Sequence, residues 1–197
     1  ERDRSDMEWR EIARMGRAAV DSKQIFIDGL IVPEAHRIGE EGKGFSYLLD
    51  SLNPERILIA AEALGIGKTA LRRAVEYAGQ RIVFDRPIGQ NQSIQHPLAE
   101  NWVELEAAGL LIAKAAHLYD SGAPAGGMAN AAKYFAAEAG FKAATQAVMT
   151  LGGMGYAKEY HVERLLRESL IPRLAPVSAQ MMLNYIAERV LGLPKSY

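Results

Sequence analysis

The sequence predicts a mainly α fold, an antiparallel up-down four-helix bundle with a short β-hairpin at its N-terminus. Three observations carry that prediction. Apolar residues recur at three- and four-residue steps through long stretches after residue 44. Short breaks at 86–89 and 121–124 separate these stretches, and short connections make neighbouring helices antiparallel. Ahead of them, the β-rich runs 24–27 and 30–32 flank Asp28-Gly29, a dipeptide suited to a tight hairpin turn.

Taken in order, residues 1 to about 15 read as charged and irregular, anchored by Trp9, Ile12 and Met15. The hairpin at 24–32 follows, and an isolated hairpin is marginal in water, so it reads as the end of a larger β-structure. Glu40-Glu41-Gly42-Lys43-Gly44 is a polar, glycine-rich hinge. The first helix is expected over 45–83, with Pro54 as a kink or restart. Its apolar stripe is Leu48, Leu52, Ile59, Ala63 and Ile66, and Glu55 falls on that stripe. A second helix over 94–119 carries Leu98, Trp102, Leu105, Gly109, Ile112, Ala116 and Tyr119 on one face. The third, over 125–151, is alanine-rich, with Met128, Ala132, Phe135, Ala139 and Ala143 facing inward and room for a neighbouring backbone to come close. A short helix over 161–171 and a last one over 178–191 complete the bundle.

Composition excludes several functions. The chain has 197 residues, 49% hydrophobic and 24% charged, enough to bury a real core. A net charge of -1 without a long basic run offers nucleic acid no footprint. No apolar run has the length to cross a bilayer. Cysteine is absent, so there is neither a disulfide framework nor a thiolate site, which fits a reducing compartment. The chain begins at Glu1 with no signal-peptide pattern and reads as a fragment or a processed product.

Local chemistry leaves each candidate residue with two readings. Asn53-Pro54-Glu55 has the form of a helix start, with Asn53 as N-cap, Pro54 at the first position and Glu55 as a first-turn acid. Against that, a carboxylate on an apolar stripe must be paired, protonated or needed. Gly152-Gly153-Met154-Gly155 follows a helix instead of a strand, which favours a glycine C-cap over a phosphate loop. His36, His96, His117 and His161 form no paired helical spacing, so no metal site is expected. Arg81 and Gln92 bracket a turn containing Pro87 and Gly89, where a guanidinium could face phosphate.

Jointly, several stretches resemble the acyl-CoA dehydrogenase family. They are Val32-Pro33, Gly39 to Phe45, Leu52-Asn53-Pro54-Glu55-Arg56, Arg81-Ile82-Val83-Phe84 with Pro87-Ile88-Gly89 and Gln92, Ala132-Lys133, Gly152 to Tyr156, and Glu163-Arg164 with Arg167. Their order and spacing hold across the whole chain, which corresponds to roughly the C-terminal half of a member. The resemblance implies that 1–38 is the end of a middle β-domain and 39–197 the C-terminal helical bundle. It also implies an FAD-dependent enzyme that converts an acyl-CoA to the trans-2-enoyl-CoA, a glutamate removing the α-proton and the flavin taking the β-hydride. An electron-transfer flavoprotein, a homotetramer and a bacterial cytoplasm, or alternatively a mitochondrial matrix, are the partners and setting it suggests.

The family's usual base falls on Pro176 here, and proline cannot take a proton. A minority branch, including the isovaleryl-CoA and long-chain enzymes, carries its base immediately before an arginine on the first helix, where Glu55-Arg56 stands. The resemblance therefore implies Glu55 as base with Asn53 and Arg56 along the substrate. It implies Arg81 and Gln92 at FAD across a subunit interface, Gly152 and Gly153 at the adenine end, and Ser178 where the family's threonine meets the cofactor. Met149 replaces an expected glutamine contact. The family's flavin-ring loop and N-terminal helical domain have no counterpart here, so the chain alone is expected to bind FAD weakly or not at all. The alternative is a non-catalytic structural subunit of a hetero-oligomer, with Pro176 marking a lost site.

Overall fold

The computed structural model describes residues 7–196, which fall into two compact units that meet in sequence between Asp50 and Ser51. In the first unit, β1 (Met7–Glu11) pairs antiparallel with β2 (Lys23–Ile27), Met7 opposite Ile27 and Trp9 opposite Ile25. Two expectations are corrected here. Residues 7–11 are a strand, and the segment 30–32 is not the partner of β2. The alternation of Met7 and Trp9 with Glu8 and Arg10 puts two apolar side chains opposite Ile27 and Ile25, cross-strand pairs that the 30–32 run cannot supply before Pro33. Arg10 stacks on Phe26 and Lys23 on Trp9, with the cations 5.2 and 6.0 Å from the ring centres.

The second unit is the helical bundle. Helix α1 (Gly44–Gln80) begins in the first unit and runs through Pro54 without a new start. A two-residue hairpin joins it to α2 (Gln92–Asp120): β3 (Ile82–Val83) pairs with β4 (Arg86–Pro87), and Phe84 and Asp85 at its tip both have positive φ, as a type I′ turn requires. Helix α3 (Gly126–Leu151) follows after five residues. The fourth position is filled in pieces: α4 (Gly153–Tyr156), α5 (Val162–Ser169), α6 (Ile171–Leu174) and α7 (Ala179–Tyr185), which runs on as a π-helical turn to Val190. Both α5 and α7 pack on α3.

The core is made of small side chains. Ala60, Ala63, Ala70 and Ala74 of α1 are buried with Ala108 and Ala115 of α2 and Ala129, Ala132, Ala136, Ala143 and Ala147 of α3. Such a surface lets backbones meet. A Cβ on Gly140 would sit 2.5 Å from the Ala63 carbonyl oxygen, and one on Gly67 would sit 2.9 Å from the Gly140 Cα and 2.6 Å from Leu105. The close approach expected of α3 is therefore present, centred on Gly140.

That contact turns α1 to a different face from the one its large aliphatic residues suggest. Its buried residues are Arg56, Ile57, Ala60, Ala63, Gly67, Ala70, Leu71, Ala74 and Ala78. Glu55 is exposed, so its placement on the inward stripe is corrected, and Trp102, expected inside on α2, is 58% exposed. Replacing Gly140 with alanine forces the α1 backbone away and should destabilise the protein by about 1–3 kcal/mol. Chemical denaturation checks this, and an unchanged midpoint would show that α1 and α3 are not in backbone contact.

Candidate functional site

Two groups of side chains stand out in the bundle. The first surrounds the middle of the first third of α1. Pro54 lies inside the helix and has no N–H, so the Asp50 carbonyl loses its helical donor. Because α1 starts at Gly44, Asn53 and Pro54 are not caps, and Glu55 is not a first-turn acid. Asn53 instead accepts a hydrogen bond through Oδ1 from Arg56 Nη1 at 3.1 Å. Arg56 is 9% exposed, and its Nε is buried with no hydrogen-bond partner. Burial pulls its pKa below the usual arginine range, while Tyr185 and Glu55 push it back, and a guanidinium stays charged regardless.

Behind Arg56 lies a second cation that the periodicity did not flag. Lys133 of α3 is 0% exposed, and its ammonium donates to the Val177 carbonyl at 2.6 Å. Burial and, less strongly, the Arg56 charge lower its pKa to about 8, with Glu138 opposing both. Glu138 is itself held by Arg173 at 2.8 Å. The buried polar residues described are Arg56, Asn101, Asn130, Lys133, Thr150 and Ser169, none of them acidic. Val177 precedes Ser178, which caps α7: its Oγ accepts from the Met181 N–H at 3.5 Å and its carbonyl from the Met182 N–H at 3.2 Å.

The second group lines a cavity of about 270 Å³ formed by Tyr77, Arg81, Val83, Ile88, and residues 150–154. It brings Arg81 together with Gly152 and Gly153, residues named from the sequence that lie far further along the chain. Gly152 ends α3 with φ of 59°, its N–H shared between the Val148 and Met149 carbonyls, so the C-cap reading also holds. A Cβ on Gly152 or Gly153 would meet nothing within 4 Å, which leaves open space over bare backbone. Arg81 is exposed at the base of the hairpin, its carbonyl accepting from the Ile88 N–H. Gln92, at the start of α2, does not line this cavity. Phe84 carries part of the family resemblance but no assigned role; it is 93% exposed and held at positive φ, a costly conformation for a bulky residue.

The cavity has a lining that could hold part of a dinucleotide. Ligand pockets run from about 300 to 1,000 Å³, so this one suits a single segment, with a guanidinium for phosphate and bare glycine backbone for close approach. A larger hollow of about 370 Å³ lined by Glu104, Glu138, Lys142 and Arg173 is different. Its cations already hold carboxylates: Lys142 lies 2.8 Å from Glu104 and 3.0 Å from Glu100. Among the described residues no cluster of three or more His, Cys, Asp or Glu could hold a metal, and no helix is long and apolar enough to cross a membrane.

Residues 42–191 match the family described as acyl-CoA dehydrogenase, C-terminal domain. The chain belongs to the acyl-CoA dehydrogenase family. An acyl-CoA dehydrogenase of Mycobacterium tuberculosis is 46% identical over 176 residues, 88% of this chain and 45% of that protein. The structure of butyryl-CoA dehydrogenase from Megasphaera elsdenii superposes with a TM-score of 0.90 at 34% identity, covering 95% of this chain and 49% of that one. PigA with FAD and proline superposes with a TM-score of 0.91 at 25% identity, over 98% of this chain and 50% of its own. The chain therefore spans about half the length of these relatives.

Lys133 binds its proton less tightly folded than unfolded. Its contribution to stability consequently rises with pH, from the folded value of about 8 to the ordinary value of 10.5. The melting temperature of the protein should climb relative to that of Lys133→Met between about pH 7.5 and about pH 10. A difference that stays flat or falls would mean that this ammonium is hydrated.

Proposed function

We propose that this chain is the C-terminal part of an FAD-dependent acyl-CoA dehydrogenase that converts an acyl-CoA thioester to the trans-2-enoyl-CoA, with Glu55 as the base. One observation carries the reading. Helix α1 runs unbroken from Gly44, so the local explanation of Glu55 as a helix-start acid falls away. What remains is an exposed carboxylate beside a buried arginine, at the position where the minority branch carries its base, in a chain with Pro176 in the usual seat.

The roles follow from the side chains. Glu55 takes the α-proton, and an acyl chain lying over it would strip its water, which favours the protonated product of that transfer. Asn53 and Arg56, joined by their hydrogen bond, line the substrate path. Arg81 holds the pyrophosphate of FAD across a subunit interface, and Gly152 and Gly153, which line the same cavity, let the backbone approach the adenine end. Gln92 adds a further contact across the subunit interface, and the Ser178 hydroxyl meets the cofactor where the family's threonine does. FAD, when bound, supplies the acceptor for the β-hydride, which no side chain can provide. The match to PigA with FAD supports the cofactor, and the names of the relatives support an acyl-CoA substrate. An electron-transfer flavoprotein as acceptor, a homotetramer, a place in fatty acid metabolism and a cytoplasmic setting complete the reading.

Glu55→Gln in the complete protein should cut turnover by at least about 100-fold while flavin stays bound. Near-normal dehydrogenation by that variant would refute the assignment. Gly153→Leu enters open space at an ordinary φ, so the fold should survive while bound flavin is lost. Full flavin content in that variant would remove the glycine cradle from the site.

Pro176 favours a second reading, a non-catalytic subunit of a hetero-oligomeric complex. Reduction of bound flavin by acyl-CoA in the purified protein, with no second polypeptide present, decides against it.

A further inference from the structure

We propose that Lys133 is a positioning residue for Ser178: its ammonium, reaching from inside the bundle, holds the Val177 carbonyl and thereby orients the residue that meets the cofactor. This rests on the reading of Ser178 as a flavin contact.

Packing does not explain this lysine. It sits among Ala129, Ala132, Ala136 and Ala137 on α3, all buried, where a small or apolar side chain would cost no desolvation. It also faces the buried charge of Arg56, so the interior adds repulsion to the loss of hydration. What it meets is the Val177 carbonyl, 2.6 Å away and 44 residues further along the chain. A hydrogen bond from an ionised donor is about twice as strong as a neutral one.

The segment it holds has few bonds of its own. The Ala175 N–H closes α6 on Ile171, Pro176 has no N–H, and the bonds to Ser178 belong to the first turn of α7. The Val177 carbonyl lies between these two helix ends, and Lys133 ties it crosswise to α3. The geometry then passes directly to Ser178. The Val177 carbonyl and the Ser178 nitrogen and Cα share one rigid peptide plane, so fixing the oxygen fixes the direction in which Ser178 leaves it. Lys133 touches neither substrate nor cofactor in this arrangement; it acts through that plane.

The test uses the complete flavoprotein with Lys133→Met, Ser178→Ala and the double variant, read by the FAD dissociation constant and by amide exchange at Met181 and Met182. Lys133→Met should weaken FAD about tenfold and speed exchange at the start of α7 about tenfold, the scale of one charge-assisted hydrogen bond. In the Ser178→Ala background it should cost less than about twofold more, because both changes act on one contact. Lys133→Arg, which keeps a cationic donor, should restore both readouts. Wild-type exchange in Lys133→Met, or effects on FAD that multiply in the double variant, overturns the proposal. If Ser178→Ala alone binds FAD normally, the flavin-contact reading has failed, and the proposal falls with it even where exchange is faster. Should Lys133→Met not fold, Lys133→Gln, whose amide stops short of the carbonyl, takes its place under the same criteria.

Discussion

The contact between the Ala63 carbonyl and Gly140 sets the geometry of both candidate residues on α1. Successive helical residues are separated by about 100° around the axis, so pressing Ala63 against α3 fixes which side chains face in. Arg56 lies four residues before Ala60 and seven before Ala63, and it is carried inward with them. Glu55 lies one residue earlier and is turned away. A carboxylate and a guanidinium that are neighbours in sequence are thereby split, one exposed and one buried, by the contact of Ala63, two turns further along α1, with Gly140 of α3.

Much of the bundle was legible because breaks and periodicity agree. The ends of α2 and α3 fall within a few residues of the expected positions, and Gly152 terminates α3 through a positive φ, as its place suggested. The inward faces were harder to read, since hydrophobic size is a poor guide in an alanine core. Helices that meet backbone to backbone bury Ala60 completely and leave Leu58 69% exposed. The stripe that seemed to include Glu55 was drawn through large aliphatic residues, and the packing is decided by small ones. The strand at Met7–Glu11 was missed for another reason: its period-two alternation is short and crowded with charge, and the partner of 24–27 was expected at 30–32, next to it in sequence, instead of about twelve residues earlier.

The site divides the same way. Arg81, Gly152 and Gly153 came from the resemblance, and no periodicity could have joined residues so far apart; the cavity that unites them exists because the α1–α2 hairpin and the end of α3 meet. For Gly152 the structural and the functional readings hold together, since a C-cap with bare backbone is also a surface that a ligand can approach closely. Lys133 was hidden by its setting. One position from Ala132, it looks like the flank of an apolar stripe, and a pattern of sizes and hydropathies does not register that a lysine there must be desolvated.

Two buried cations, neither of them ion-paired to a buried acidic residue among those described, are a poor way to stabilise a bundle. Exchanging a buried charge for a well-packed apolar residue is often neutral or stabilising, and the surrounding alanines show that this interior readily takes small apolar groups. Each cation is instead tied to a polar partner beside a residue with a proposed role: Arg56 to Asn53 next to Glu55, and Lys133 to the carbonyl just ahead of Ser178. The cost of desolvation is offset by the close helix packing around it, and what the chain gains is fixed direction at two points on its surface. On this argument the tight α1–α3 contact and the two buried cations form one arrangement, in which packing supplies the stability that positioning consumes.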